Sequence, residues 1–288
     1  MWKNLKLRLE LAILEIRGRL RKTLLGQNGL ALLYETSAGL FAVDPEDMLI
    51  AQHLRETATS FNQAELERLH PFLTQDSRVL IVGAHIGCLA IPLSRLVREV
   101  VALEPNPVTC RLLEINVALN RVSNFHTHNI AAGDQRQQIP FLMNRVNSGG
   151  SKRQPLTPYL YYHDRPQIIQ VESHSLDEYL SGHFDLIVLD IEGSEIFALR
   201  GMPRLLAQAQ VLQVEFLPHH LKMVAGVDVA TFLKPIIPHF DTLRLSSMKT
   251  SVHQSDFHGV LQELYDRQQG DNGLLFTKES ALARKAGR

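Results

Sequence analysis

Three acids in this chain, Glu104, Asp190 and Glu215, fall at or near the end of short apolar runs, and a glycine turn from Gly83 to Gly87 follows a fourth run. The runs are Val79–Val82, Val100–Leu103, Phe184–Leu189 and Val211–Phe216. Each is short, apolar and rich in branched side chains, as a parallel strand buried on both faces should be. Open parallel sheets bind ligands beyond the carboxyl ends of their strands. A carboxylate at the end of the second strand of a βαβ unit can accept from both hydroxyls of a ribose. Gly83 and Gly87 allow a sharp bend and close approach to the main chain. Together they are the parts of an adenosine-binding site. The turn alone is weaker than the full dinucleotide fingerprint, because Ala84, His85 and Ile86 separate its two glycines. An ordinary strand-to-helix turn is the plainer reading of it.

Asp190 is followed by Glu192 and Gly193 at the start of a helical segment, so helix capping is the alternative to chemistry for these two acids. Glu215 lies inside an apolar strand, where an unpartnered carboxylate is costly. A cleft is the expected location. Asp190, Glu215 and His219 are therefore the candidate catalytic groups at this edge.

The elements that must position these residues follow from hydrophobic periodicity. Helices are predicted over Cys88–Val97, Val108–Asn120 and Ser194–Ala207, with Pro107 able to open the second. Phe240–Leu245 and Leu274–Thr277 are expected as a closing antiparallel pair. Before them, Met1–Leu25 has Trp2, Leu5, Leu9, Ile13, Ile16, Leu20 and Leu24 at helical spacing, with basic residues on the other faces. Packing on its own domain, a homodimer contact or a membrane-surface contact would each use such a helix. A hairpin (Leu30–Tyr34, Leu40–Val43) and a mostly helical stretch from Asp47 to Phe72 complete a preface over residues 1–72. The main domain is expected over 73–279, with a lid-like insertion at about 134–171, and 280–288 as a frayed tail. The insertion carries a polar, glycine-bearing loop, Asn144–Pro155, and an aromatic cluster, Tyr159, Tyr161, Tyr162 and His163. Ile168–Val171 is expected to return to the main sheet, and Ser175 to cap a short helix.

Thirty basic and thirty acidic residues balance, so no global field points to nucleic acid. Cys88 and Cys110 form neither a disulfide framework nor a zinc pattern, which favours a reducing compartment. No leader-like core follows the charged start and no apolar run is long enough to span a bilayer, so a cytoplasmic location is expected. Thirteen histidines give a single His-x-His pair, His126 and His128, and no zinc spacing, so no metal is expected.

The blocks VGAHIG, ALEPNP, LLEINVALN, SLDEYL, LIVLDIEGSEIFALRGM and VLQVEF, in this order, resemble the FkbM family of S-adenosylmethionine-dependent methyltransferases. The resemblance runs from about Gly29 to about Lys278. It implies an α/β, Rossmann-like class I methyltransferase fold with a seven-stranded, mostly parallel sheet. It implies S-adenosylmethionine as cofactor, with the methionine portion at Gly83, His85 and Gly87, the ribose at Glu104 with Asn106 nearby, and the adenine flanked by Ala131. Asp190, with Glu192 beside it, would lie at the reaction edge. Hydroxyl methylation of a small natural product or sugar is the implied activity. Methylation of nitrogen or a carboxyl, and a degenerate fold kept as a binding partner, are the alternatives. Three positions depart from the family pattern: Ile81 replaces an aspartate, His85 an asparagine and Val188 a lysine. A neutral imidazole at His85 is compatible with a nearby sulfonium; an imidazolium is not.

Overall fold

The computed structural model describes residues 2–26, 28–57, 62–157, 166–248 and 250–281, with side chains from residue 9 onward. The aromatic cluster at Tyr159, Tyr161, Tyr162 and His163 lies outside the described residues.

In chain order the strands are β1 (Leu32–Thr36), β2 (Gly39–Val43), β3 (Arg78–Val82), β4 (Glu99–Leu103), β5 (Phe125–His128), β6 (Ala131–Gly133) and β7 (Gln137–Met143). They continue with β8 (Lys152–Arg153), β9 (Gln167–Ser175), β10 (Leu186–Leu189), β11 (Val211–Phe216), β12 (Thr242–Arg244), β13 (Val252–His253) and β14 (Asp271–Thr277). The main sheet has the order β13-β12-β14-β11-β10-β3-β4-β5. β5, β4, β3, β10 and β11 are parallel neighbours, and β14 runs antiparallel between β11 and β12. This is the class I methyltransferase arrangement, with the two-residue edge strand β13 as an eighth member.

Register decides where the acids go. Leu189 pairs with both Val82 and Val214, and Val82 pairs with Leu103. Gly83, Glu104, Asp190 and Glu215 are the next residues on these four strands, so they form one row along the carboxyl edge. β3, β10 and β11 are buried almost throughout, as continuous apolar strands covered on both faces must be. Their two faces feed two separate cores, one containing Leu80, Val82, Leu189 and Phe216, the other Ile81, Val188 and Val211.

Four local expectations need correction. The insertion does not rejoin the main sheet: Ala131–Gly133 and the strand containing Ile168–Val171 build a separate four-stranded sheet, β6-β9-β7-β8. The helix expected over Ser194–Ala207 is two helices, Glu195–Arg200 and Pro203–Gln208, divided where Gly201 ends the first and Pro203 opens the second. The helix expected over Cys88–Val97 is regular only over Ala90–Ser94, and the chain beyond closes in tighter turns. Ser175 stands at the N-cap position of its helix, but its hydroxyl donates to Gly201 O rather than accepting from the helix.

The preface is built onto the main unit. Phe41, Val43, Ile50 and Leu54 share a core with Ile86, Ile91 and Leu112. Asn116, fully buried on the helix Pro107–Leu119, locks this contact. Its Oδ1 accepts from Ala42 N at 2.6 Å, and its Nδ2 donates to Ala42 O at 3.2 Å and to Ile86 O at 2.9 Å. Replacing Asn116 by Ala strands three buried backbone groups, so Asn116→Ala should lose about 2–4 kcal/mol of stability in chemical denaturation. A loss below about 1 kcal/mol would show that this lock is not structural.

Candidate functional site

Glu104 is almost fully buried, and two backbone N–H groups hold its carboxylate. Oε2 accepts from His85 N in the glycine turn and Oε1 from Asn106 N at the next helix start, both at 2.9 Å. Each oxygen keeps further acceptor capacity. Burial pushes its pKa up to about 7, against the pull of these two donors.

Gly83 has φ +88°, and a Cβ there would collide with the carbonyl oxygen of Asp190. The turn after β3 is thus pressed onto the end of β10. It is a protein carbonyl that demands glycine at this position. Gly87 (φ +91°) lines neither cavity described below; a Cβ there would meet Leu113 and Ile91 at 2.8 and 2.9 Å. Its part is packing. Asn106 also stands outside those cavities: its Oδ1 caps the helix through Val108 N and Thr109 N, and it acts on the site through its own N–H.

His85 sits at φ +50°. Its Nε2 is 2.6 Å from Ser148 Oγ, and Ser148 donates to Asp47 Oδ2 at 2.5 Å. The serine proton goes to the carboxylate, so the imidazole supplies the Nε2–H. Burial lowers the His85 pKa to about 4 and keeps the ring neutral; it raises Asp47 to about 6. This chain ties the glycine turn, the insertion loop and the preface together. Met48 N donating to Val146 O at 2.9 Å adds a second fastening of loop to preface.

In the acid row, the capping work belongs to Glu195, whose Oε1 accepts from Ile191 N and Gly193 N at 3.1 and 3.2 Å. Asp190 and Glu192 are left for the cleft. Asp190 opens to the cavity yet is ringed by protein, and its pKa is raised well above the usual range by desolvation and then by Glu192. No donor of the described residues is hydrogen-bonded to its carboxylate. Glu192 (φ +55°) accepts from Lys152 Nζ at 2.8 Å. The same ammonium is 3.1 Å from His220 Nε2, which makes that nitrogen the acceptor and leaves Nδ1–H facing Glu215 Oε2 at 3.8 Å. Burial holds the His220 pKa down to about 2. Among the described residues Glu215 Oε2 is buried with no hydrogen-bond partner, and burial with the Asp190 charge raises its pKa well above normal.

The ring from the His-His pair that enters this network is His220. His219 packs against it at a tilt, with ring centroids 4.3 Å apart, and lines neither cavity. Glu192, Glu215 and His220 bring possible metal-ligand atoms within 4.8 Å of one another, a grouping the histidine spacing did not indicate. The Lys152 ammonium already provides a cation to two of the three.

Two cavities meet here. One, with about 620 Å³ of empty volume, is lined by Glu104, Leu103, Ile130, Ala131, Phe141, Ser148 and Gly149. Its apolar walls beside Glu104 suit a flat base joined to a ribose. The other, about 990 Å³, is lined by Asn62, Glu65, Asn147, Glu215 and Asn272. Gly83, His85, Gly149, Asp190 and Glu192 border both. Sequence reasoning brought Gly83, His85, Glu104, Ala131, Asp190, Glu192 and Glu215 to this place. It missed Lys152, His220, Asp47, Ser148 and Glu65, which come from the insertion, the neighbour of a candidate and the preface.

An open α/β sheet with an acid at the end of its second strand and a cavity beyond defines a nucleotide-cofactor class of fold. Residues 82–271, more than half of the chain, match the model of the methyltransferase FkbM domain, and the chain belongs to that family. Among solved structures it is similar to methyltransferase FkbM from Methylobacillus flagellatus (17% identity, TM-score 0.43, covering 71% of this chain and 44% of that one). It is also similar to Trm5b from Pyrococcus abyssi (13%, 0.46, 88% and 57%) and to TYW2 of M. jannaschii in complex with AdoMet (11%, 0.42, 86% and 85%). The chain thus spans about half the length of the first two. No curated protein matches it.

Glu104 gives a signed pH prediction. Its folded pKa, about 7, lies above the ordinary 4.5, so its stabilising contribution is complete below pH 4.5 and lost as pH rises through 7. His85, with a depressed pKa, contributes in the opposite sense. The difference between wild type and Glu104→Gln isolates the acid. Between pH 5 and 8 the variant should gain about 1–3 kcal/mol relative to wild type in denaturant titrations of the cofactor-free protein. A difference independent of pH would contradict the raised pKa.

Proposed function

We propose that this chain transfers the methyl group of S-adenosylmethionine to a hydroxyl of a small molecule, a natural product or sugar. The observation that carries the reading is the junction of the two cavities at Asp190 and Glu192, with Glu104 on one side and the acid-lined space on the other. The residues fit the cofactor: Glu104 has acceptor capacity left for two hydroxyls, and Leu103, Ile130, Ala131 and Phe141 wall the space for a base. His85, kept neutral, adds no repulsion toward a positive sulfur. The cofactor supplies a methyl group on a sulfonium that leaves readily.

The protein must place the acceptor oxygen in line and take its proton. Asp190, open to the junction and without a donor on its carboxylate among the described residues, takes that proton in this reading. Glu215, whose pKa burial and the Asp190 charge both raise, serves in this reading as the protonated partner that orients the hydroxyl. The loop at Ser148 and Gly149, fastened through Asp47, covers the cleft and limits water.

A second reading is favoured by one observation. The acceptor-side wall gathers Glu65, Asp190, Glu192 and Glu215. That surplus of carboxylates also suits an amine, and methyl transfer to nitrogen would need less help from a base.

Product analysis with a methyl-labelled cofactor over hydroxylated and amine acceptors separates the two. Asp190→Asn should lower kcat at least about 100-fold while cofactor binding stays within a few-fold. Turnover by wild type should rise with pH above the usual carboxylate range, and the variant should lose that rise. Full turnover in Asp190→Asn removes Asp190 from the role of base.

A further inference from the structure

The first helix, Trp2–Leu25, lies on the molecule with one face and turns an apolar stripe away from it. The docked face is marked by Gly18, where a Cβ would stand 2.7 Å from Glu46 O. Leu11, Leu14, Arg21 and Lys22 are half-buried near it. Opposite stand Leu9, Ile13, Ile16, Leu20 and Leu24, exposed by 62%, 47%, 58%, 58% and 88%. At 100° per residue these five fall within about 80° of arc. Arg17 and Arg19, both exposed, flank the stripe on its two sides, with Arg19 donating to Glu15 and the exposed Glu10 on the side of Arg17. The whole helix carries seven basic residues and two acidic ones.

We propose that this stripe lies in the surface of an anionic lipid bilayer. An apolar line bordered on both sides by long cationic side chains is what such a surface selects: the apolar side chains enter the acyl boundary while the guanidinium groups reach the phosphates. Charge decides against a second copy of the chain as occupant. A helix pair would bring together two helices that each carry seven basic residues against two acidic ones, an excess that a lipid surface would neutralise. Among the described residues no helix is long and apolar enough to cross a membrane, so the contact lies in the plane of the surface. The docked face abuts Glu46, and the next residue, Asp47, holds the loop over the cleft. Helix and site therefore share one segment of chain.

The test is sedimentation of the full chain with vesicles of phosphatidylcholine alone or containing about a quarter phosphatidylglycerol. Wild type should bind the anionic vesicles, and more weakly as salt is raised. Ile16→Glu with Leu20→Glu should cut that binding at least about tenfold. Both positions are exposed, so the variant should keep the wild-type unfolding midpoint. Arg17→Glu with Arg19→Glu should reduce binding to the level seen with phosphatidylcholine. No binding of wild type to anionic vesicles overturns the proposal, as does equal binding by the Ile16/Leu20 variant. Light scattering gives the remaining outcome: a wild-type dimer split by Ile16→Glu with Leu20→Glu assigns the stripe to a second copy instead.

Discussion

The structure turns on a buried carboxylate that needs two backbone donors from two different loops. Glu104 directly follows β4, yet its partners are His85 N, beyond β3, and Asn106 N, at the start of the following helix. An unsatisfied carboxylate at this depth would be costly, so the glycine turn and the helix start are fixed relative to each other. Asn106 strengthens the arrangement by capping the helix with its side chain while donating its N–H to the acid. The acid therefore organises the loops around it before any ligand arrives, and its remaining lone pairs face a cavity with apolar walls.

The rest of the site is built outward from that fixed edge. Gly83 presses on the carbonyl of Asp190, so the position of the turn also sets the position of the acid at the end of β10. His85 carries the same turn to Ser148 and Asp47, which brings the insertion loop and the preface over the cleft. Lys152, from β8, then places a positive charge among Glu192, His220 and Glu215. A cluster of buried carboxylates with one lysine keeps some of its members protonated, and such split protonation gives one acid the task of donor and another that of base.

The row of acids was legible in the sequence because it follows from register. Four apolar runs of similar length, each ending at a turn or an acid, align their ends once they pair in parallel, and Leu189 with Val82 and Val214 does this. The family resemblance added the expected duties of Glu104 and Asp190. What the sequence withheld is local. His219 and His220 are neighbours on a three-residue helix, and only the fold decides which ring turns inward. Lys152 comes from an insertion whose strands form their own sheet, so neither its distance in sequence nor its periodicity pointed at Glu192. Gly201 and Pro203 split one apolar helical stretch into two, a local backbone rule overriding a continuous pattern. The exposed stripe of the first helix was visible as a pattern, but its outward direction depends on the contact at Gly18.

The central claim is that the cavity at Glu104 takes an adenosine-bearing cofactor. Calorimetric titration of the folded chain with S-adenosylhomocysteine, for wild type and for Glu104→Ala, addresses it directly. The account predicts saturable one-site binding by wild type and an affinity lower by at least about tenfold in the variant, since removing the acid deletes charge-assisted hydrogen bonds to the ribose. Absence of binding by folded wild type, or equal affinity in the variant, would contradict it.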